Sequence, residues 1–225
     1  MPGRKIPLVN GEFYHIINRG SDNRKIFLTE RDYKRFLSAL FYYQYHGPKP
    51  KFSNLSAQKL QLWKPKEEDK LVNIICYCLM SNHIHLLVQQ LKDDGISIFM
   101  SQLCNSYTKY FNTKHKRIGP LLQGRFKSVL VGDDYQLLHV SRYIHINPVV
   151  ARMVIRLEDY TWSSFAQYVG SVNGFCTPKK IMEQFKSPQE YKKILEDQIG
   201  YGETLETIKN HLADDYYDDT SGVES

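Results

Sequence analysis

Two histidines one residue apart, His83 and His85, sit in the apolar run YCLMSNHIHLLV at residues 77–88. In a β-strand, residues i and i+2 project to the same side. His83 and His85 would therefore point together, while Ile84 and Leu86 turn towards an apolar core. Two neutral imidazoles side by side can hold one divalent ion. The H-x-H pattern is short, however, and strand histidines satisfied by local hydrogen bonds are its commoner outcome. The pair gains weight from SRYIHINPV, where Tyr143 and Asn147 lie four residues apart. Residues at that spacing share a helix face, so both side chains can approach one point. An amide oxygen from Asn147 would complete a mixed nitrogen and oxygen site for a hard ion, Mg²⁺ or Mn²⁺. Tyr143 would then stand beside the ion as a nucleophile. With 16 tyrosines in the chain, a packed aromatic is the ordinary role for any one of them.

Positioning those side chains requires a strand for the histidines and a helix for Tyr143 and Asn147. EFYHIIN (12–18) has strand composition and ends in a turn-rich loop, RGSDNRKIF. Thr29 is placed to cap a helix in which Tyr33, Phe36, Leu37 and Leu40 recur at helical spacing. Strands follow at 71–79 and 83–89, then a helix at 96–112 with Ile98, Phe99, Leu103, Tyr107 and Tyr110 on one side. A fourth strand is expected at 125–131. The next helix, 135–146, should stop before Pro148, because a residue preceding proline avoids helical angles. The order β-α-β-β-α-β plus a helix predicts an α+β fold. It is a ferredoxin-like split βαβ antiparallel sheet with helices on one face and the Tyr143 helix on the other.

Residues 46–70 are polar and proline-broken, and read as an insertion or mobile excursion with at most one short helix. The main domain is expected over 1–170, a helical extension over 171–213, and a disordered acidic tail over 214–225. That tail carries five acids and no base; without it the net charge of +6 becomes +11 for the rest of the chain. A basic body suits a polyanionic partner, nucleic acid above all. Residues 109–127 hold six Lys or Arg and no acid, interleaved with aromatic residues. Lys109, Arg125 and Lys127 are candidates there, with Arg125 and Lys127 on one strand face. Arg19 and Arg24 are candidates in the preceding NRGSDNR loop. Such groups suit single-stranded or hairpin DNA, whose phosphates need cations and whose unstacked bases need rings.

The four cysteines form no C-x-x-C pair, so buried free thiols are expected in place of a zinc or disulfide framework. The longest apolar run is about ten residues, short of the roughly twenty that cross a bilayer. The N-terminus lacks the apolar core of a signal peptide, and a cytoplasmic protein without membrane contact is expected.

NRGSDNRKIF, YCLMSNHIHLLV, YTKYFNTKHKRIGPLLQGRFKSVLV, RYIHINPV and DYTWSSFAQYVG together resemble the single-tyrosine HUH transposases, most closely the REP-associated tyrosine transposases. The resemblance runs over about residues 12–170. It implies a metal-dependent single-strand DNA endonuclease and strand transferase working through a 5′-phosphotyrosine. His83 and His85 would be metal ligands, Tyr143 the nucleophile and Asn147 the third ligand. Ser81 and Val150 stand where the family often carries proline and arginine. The loss of that arginine bears on a DNA contact and leaves the proposed chemistry intact. Relatives act as monomers or as homodimers that exchange the tyrosine helix. A replication initiator of the HUH type is the alternative enzyme, and a DNA-binding regulator that no longer cuts is the alternative of another class.

Overall fold

The computed structural model describes residues 7–199. Four strands, β1 (Phe13–Arg19), β2 (Val72–Leu79), β3 (His83–Gln90) and β4 (Lys127–Val131), form one sheet in the order β2-β3-β1-β4. Every neighbouring pair is antiparallel. Helices α1 (Glu30–Tyr43) and α3 (Gly95–Lys114) cover one face, and α4 (Asp134–Val150) covers the other. The expected α+β, ferredoxin-like plan is the observed one.

Strand alternation sorts the side chains as period two requires. Tyr14, Ile16, Ile84, Leu86 and Val88 enter the core beneath α1 and α3. Phe13, Leu87 and Val131 enter the core beneath α4. Ile84, Leu86 and Val88 are fully buried, and each such side chain contributes about 1.5–3 kcal/mol relative to exposure. Strand β2 departs from simple alternation. Its register against β3 shifts between Ile74 and Cys76, so Ile75 and Cys76 both join the α4-side core. This bulge places Cys78 opposite His85.

The helix carrying Tyr143 does not stop at Ile146 as expected. It runs through Pro148 to Val150, with Ala151 N–H donating to the Asn147 carbonyl at 2.9 Å. Asn147 therefore stays helical and in line with Tyr143. Residues 46–70 contain one short helix, α2 (Ala57–Leu62), and two single 3-10 turns. They are anchored on α1: the Phe52 ring stacks on Tyr42 at 4.9 Å, and the Arg35 guanidinium lies 3.8 Å from the centroid of that same Phe52 ring.

After α4 the chain forms α5 (Phe165–Tyr168), α6 (Lys179–Met182) and α7 (Pro188–Ile199). These elements send Phe165, Tyr168, Ile181, Tyr191 and Leu195 into the α4-side core. The expected helix in ETLETIKNHL and the acidic tail lie outside the described residues. All four cysteines are free thiols; Cys76, Cys78 and Cys176 are buried and Cys104 is half-buried. Among the described residues no helix is long and apolar enough to cross a membrane.

Candidate active site

His83 and His85 project from β3 onto the sheet face that α4 covers, with ring centroids 4.8 Å apart. His83 is half-buried at the strand's start, and its Nδ1 lies 2.7 Å from the Asn82 Oδ1. His85 is only 3% exposed. From α4, the Tyr143 ring meets His85 edge-on at 5.5 Å. The Asn147 side chain, one turn further along, hydrogen-bonds the Tyr143 phenol. The histidine pair, the tyrosine and the asparagine thus form one continuous set of contacts within a single chain.

A third histidine joins them. His15 of β1 stands opposite Leu87, diagonal to His85. Its Nε2 lies 3.0 Å from His85 Nδ1, and the two rings stack at 5.2 Å. Its ring also meets Tyr143 edge-on at 5.9 Å. Burial lowers its pKa to about 4, so it is neutral at physiological pH. FYHIINR has no second histidine at spacing two. Only the register between β1 and β3 brings this ring to the site.

Tyr143 is 7% exposed. Burial pushes its phenol up to about 12, against two opposing influences: the hydrogen bond from Asn147 and the positive charge of Arg19. Arg19 ends β1 directly opposite His83. An amide N–H donated to the phenol oxygen favours phenolate, which leaves the Asn147 side-chain oxygen available as a cation ligand.

Among the described residues no group of three or more His, Cys, Asp or Glu could hold a metal ion. The donors that fit are two imidazoles, His83 and His85, and the amide oxygen of Asn147. None of the three is a carboxylate or thiolate, so as ligands they would bring no negative charge. A divalent cation here would keep most of its charge for an anionic ligand, which suits a phosphate-binding ion better than a permanent structural one.

Residues 51–147 match the family model described as transposase IS200-like. A curated Haemophilus influenzae protein named as a REP-associated tyrosine transposase is 31% identical over 101 residues. That alignment covers 40% of this chain and 57% of the relative, so the match spans little more than half of the relative's length. A solved structure of a REP-associated tyrosine transposase bound to a REP hairpin aligns with a TM-score of 0.53 at 18% identity. The alignment covers 76% of this chain and 86% of that one, and it shows a shared fold. The resemblance to the REP-associated tyrosine transposases holds.

Of the DNA-contact candidates drawn from that transposase resemblance and from charge, the fold groups only some. Arg19 acts on the tyrosine through its charge, as above. Lys127 stands opposite Ile17, which itself stands opposite His85, so Lys127 lies in the same cross-strand row on the site's face. Arg125 does not share that strand face, contrary to expectation, because β4 begins only at Lys127. It lines a cleft of about 460 Å³ with Asn18, Ser101 and Asn105, against α3. Lys109 lines a separate cleft of about 890 Å³ between α1 and α3, with Arg35, Tyr43, Phe52 and Tyr110. Arg24 is held within its own loop, donating to the Ser21 carbonyl at 2.8 Å and pairing with Asp22 at 3.0 Å. Gly20 permits that loop to close: a Cβ there would sit 2.2 Å from the Arg24 carbonyl oxygen.

Proposed function

We propose that this chain is a single-tyrosine DNA transposase that nicks and rejoins single-stranded or hairpin DNA through a 5′-phosphotyrosine. The observation that carries the reading is the seating of Tyr143 edge-on to His85 at 5.5 Å within one chain. A single protomer supplies both the histidine strand and the tyrosine helix, so exchange of helices between protomers is unnecessary.

The phenol oxygen of Tyr143 attacks the scissile phosphorus. A bond forms between that oxygen and phosphorus, the bond from phosphorus to the 3′ oxygen breaks, and a 3′-OH departs. The proton lost by the phenol balances the one gained at the 3′ oxygen. The tyrosyl ester conserves the phosphodiester's transfer potential, so another 3′-OH can reverse the step and join new strands. Arg19 and the Asn147 amide favour the phenolate form needed for attack. Mg²⁺ or Mn²⁺ held by His83, His85 and Asn147 would supply Lewis-acid polarisation of the phosphate. Burial around Tyr143 excludes water that would otherwise compete as nucleophile.

The test is incubation of the full chain with labelled hairpin and single-stranded DNA in Mg²⁺ or Mn²⁺. A covalent protein–DNA adduct is expected, lost in Tyr143→Phe and on chelation. An adduct that persists in Tyr143→Phe refutes the nucleophile. Binding without any cleavage by the wild type establishes a DNA-binding regulator instead.

A further inference from the structure

Each of the two candidate ligand imidazoles has a partner at Nδ1, the ring nitrogen away from Nε2. The Asn82 Oδ1 lies 2.7 Å from His83 Nδ1, and the His15 Nε2 lies 3.0 Å from His85 Nδ1. An amide oxygen can only accept, so the first contact requires a proton on His83 Nδ1. The second contact has two possible directions. We infer that His15 accepts through Nε2 from His85 Nδ1–H, making His15 and Asn82 paired positioning residues that turn both Nε2 lone pairs towards one cation. This rests on the reading of His83 and His85 as cation ligands.

A neutral imidazole carries one proton, and whichever nitrogen lacks it is the coordinating atom. Were His15 the donor, His85 would carry its proton on Nε2, and the two β3 rings would present unlike atoms. With His15 as acceptor they match. His15 is itself 2% exposed and stacked on His85, so water cannot readily take its place. Its position on a central strand, between β3 and β4, also fixes it more firmly than a loop residue could be. A hydrogen bond to the remote nitrogen of a ligating histidine sets ring orientation and raises ligand basicity.

Titration of the metal-free full chain with Mn²⁺, read by the loss of the free-ion electron paramagnetic resonance signal, tests this without DNA or turnover. The double variant His83→Ala/His85→Ala sets the background from binding elsewhere. His15→Phe keeps ring volume but removes the acceptor, and should weaken Mn²⁺ binding by about 10–100-fold. His15→Gln, whose Oε1 can take the place of Nε2 as acceptor, should stay near wild type. Asn82→Leu should weaken binding as His15→Phe does.

Wild-type affinity in His15→Phe, with binding lost in the double variant, overturns the role of His15 and leaves the cation site standing. No change in the double variant overturns the site and the inference together. Equal losses in His15→Phe and His15→Gln also overturn it. Should His15→Phe fail to fold, nitrogen NMR of the native imidazoles decides: His85 protonated on Nδ1 supports the assignment, and on Nε2 refutes it.

Discussion

At the scale of the residue, the chemistry turns on Tyr143, whose surroundings pull its proton both ways. Burial raises the phenol to about 12, while Asn147 and Arg19 act in the opposite direction. At that value only about one phenol in ten thousand is ionised at pH 8. A raised acid pKa means less phenolate at any given pH, so the strand-cleavage rate should climb as pH rises. We expect about a tenfold gain per unit between pH 7 and 9. Arg19→Gln should lower the single-turnover rate at each pH while keeping that slope. A flat profile would show that proton loss from Tyr143 does not limit cleavage. His83, His85, Tyr143 and Asn147 were legible because each pair obeys a local period, two in a strand and four in a helix. His15 was not, since it is a lone histidine in FYHIINR and its contact arises from strand register.

At the scale of the element, α4 shows where local rules give way to packing. Pro148 lacks the N–H that would bond the Ile144 carbonyl, and its ring disfavours helix at Asn147. The helix nevertheless continues, with Ile144, Ile146 and Pro148 buried on it. The reason is tertiary. His145, between Tyr143 and Asn147, faces away from the cation site and is buried among later elements. Its Nδ1 lies 2.8 Å from the Tyr191 hydroxyl of α7, and its Nε2 lies 2.7 Å from Ser164 Oγ. Ser164 Oγ in turn accepts from the Tyr77 N–H of β2 at 2.9 Å. His145 thus ties the tyrosine helix to both β2 and the chain's later helices, and its role is structural. His145→Leu should take one buried hydrogen bond from each of the Tyr191 and Ser164 hydroxyls and cost about 1–3 kcal/mol in urea unfolding. Adding Ser164→Ala should cost less than the sum of the single changes, because the two share one network. A loss below about 0.5 kcal/mol, typical of surface changes, would refute the tie. The succession of strands was legible from composition and the turns between them, whereas the β2 bulge at Ile75 was not: LVNIICYCL is apolar at most positions and offers no period to interrupt.

At the scale of the whole molecule, the basic run 109–127 read as one stripe, and the fold divides it. Lys114 pairs with the buried Asp32 at 2.7 Å, and Arg117 donates to Asn112 and to the Pro120 carbonyl, so both serve the structure. Lys127 lies on the face of the tyrosine, and Lys109 in the cleft between α1 and α3, on the other side of the sheet. Sequence proximity could not separate them, because the turn after α3 and the return through β4 carry the chain from one face to the other. The division has a measurable consequence if both faces touch DNA. A cation that only contacts phosphate contributes to affinity and to its salt dependence without entering the chemistry. Lys127→Ala should therefore slow the nicking of a short single strand that spans only the site. Lys109→Ala should leave that rate unchanged at saturating DNA. It should instead weaken binding of a longer hairpin and reduce the slope of log K against log salt by about 0.7–0.9. Equal effects of the two variants on the short strand would place both lysines on one DNA path. No effect of Lys109→Ala on the hairpin would confine DNA to the tyrosine face, away from the cleft that Arg35 and Phe52 line.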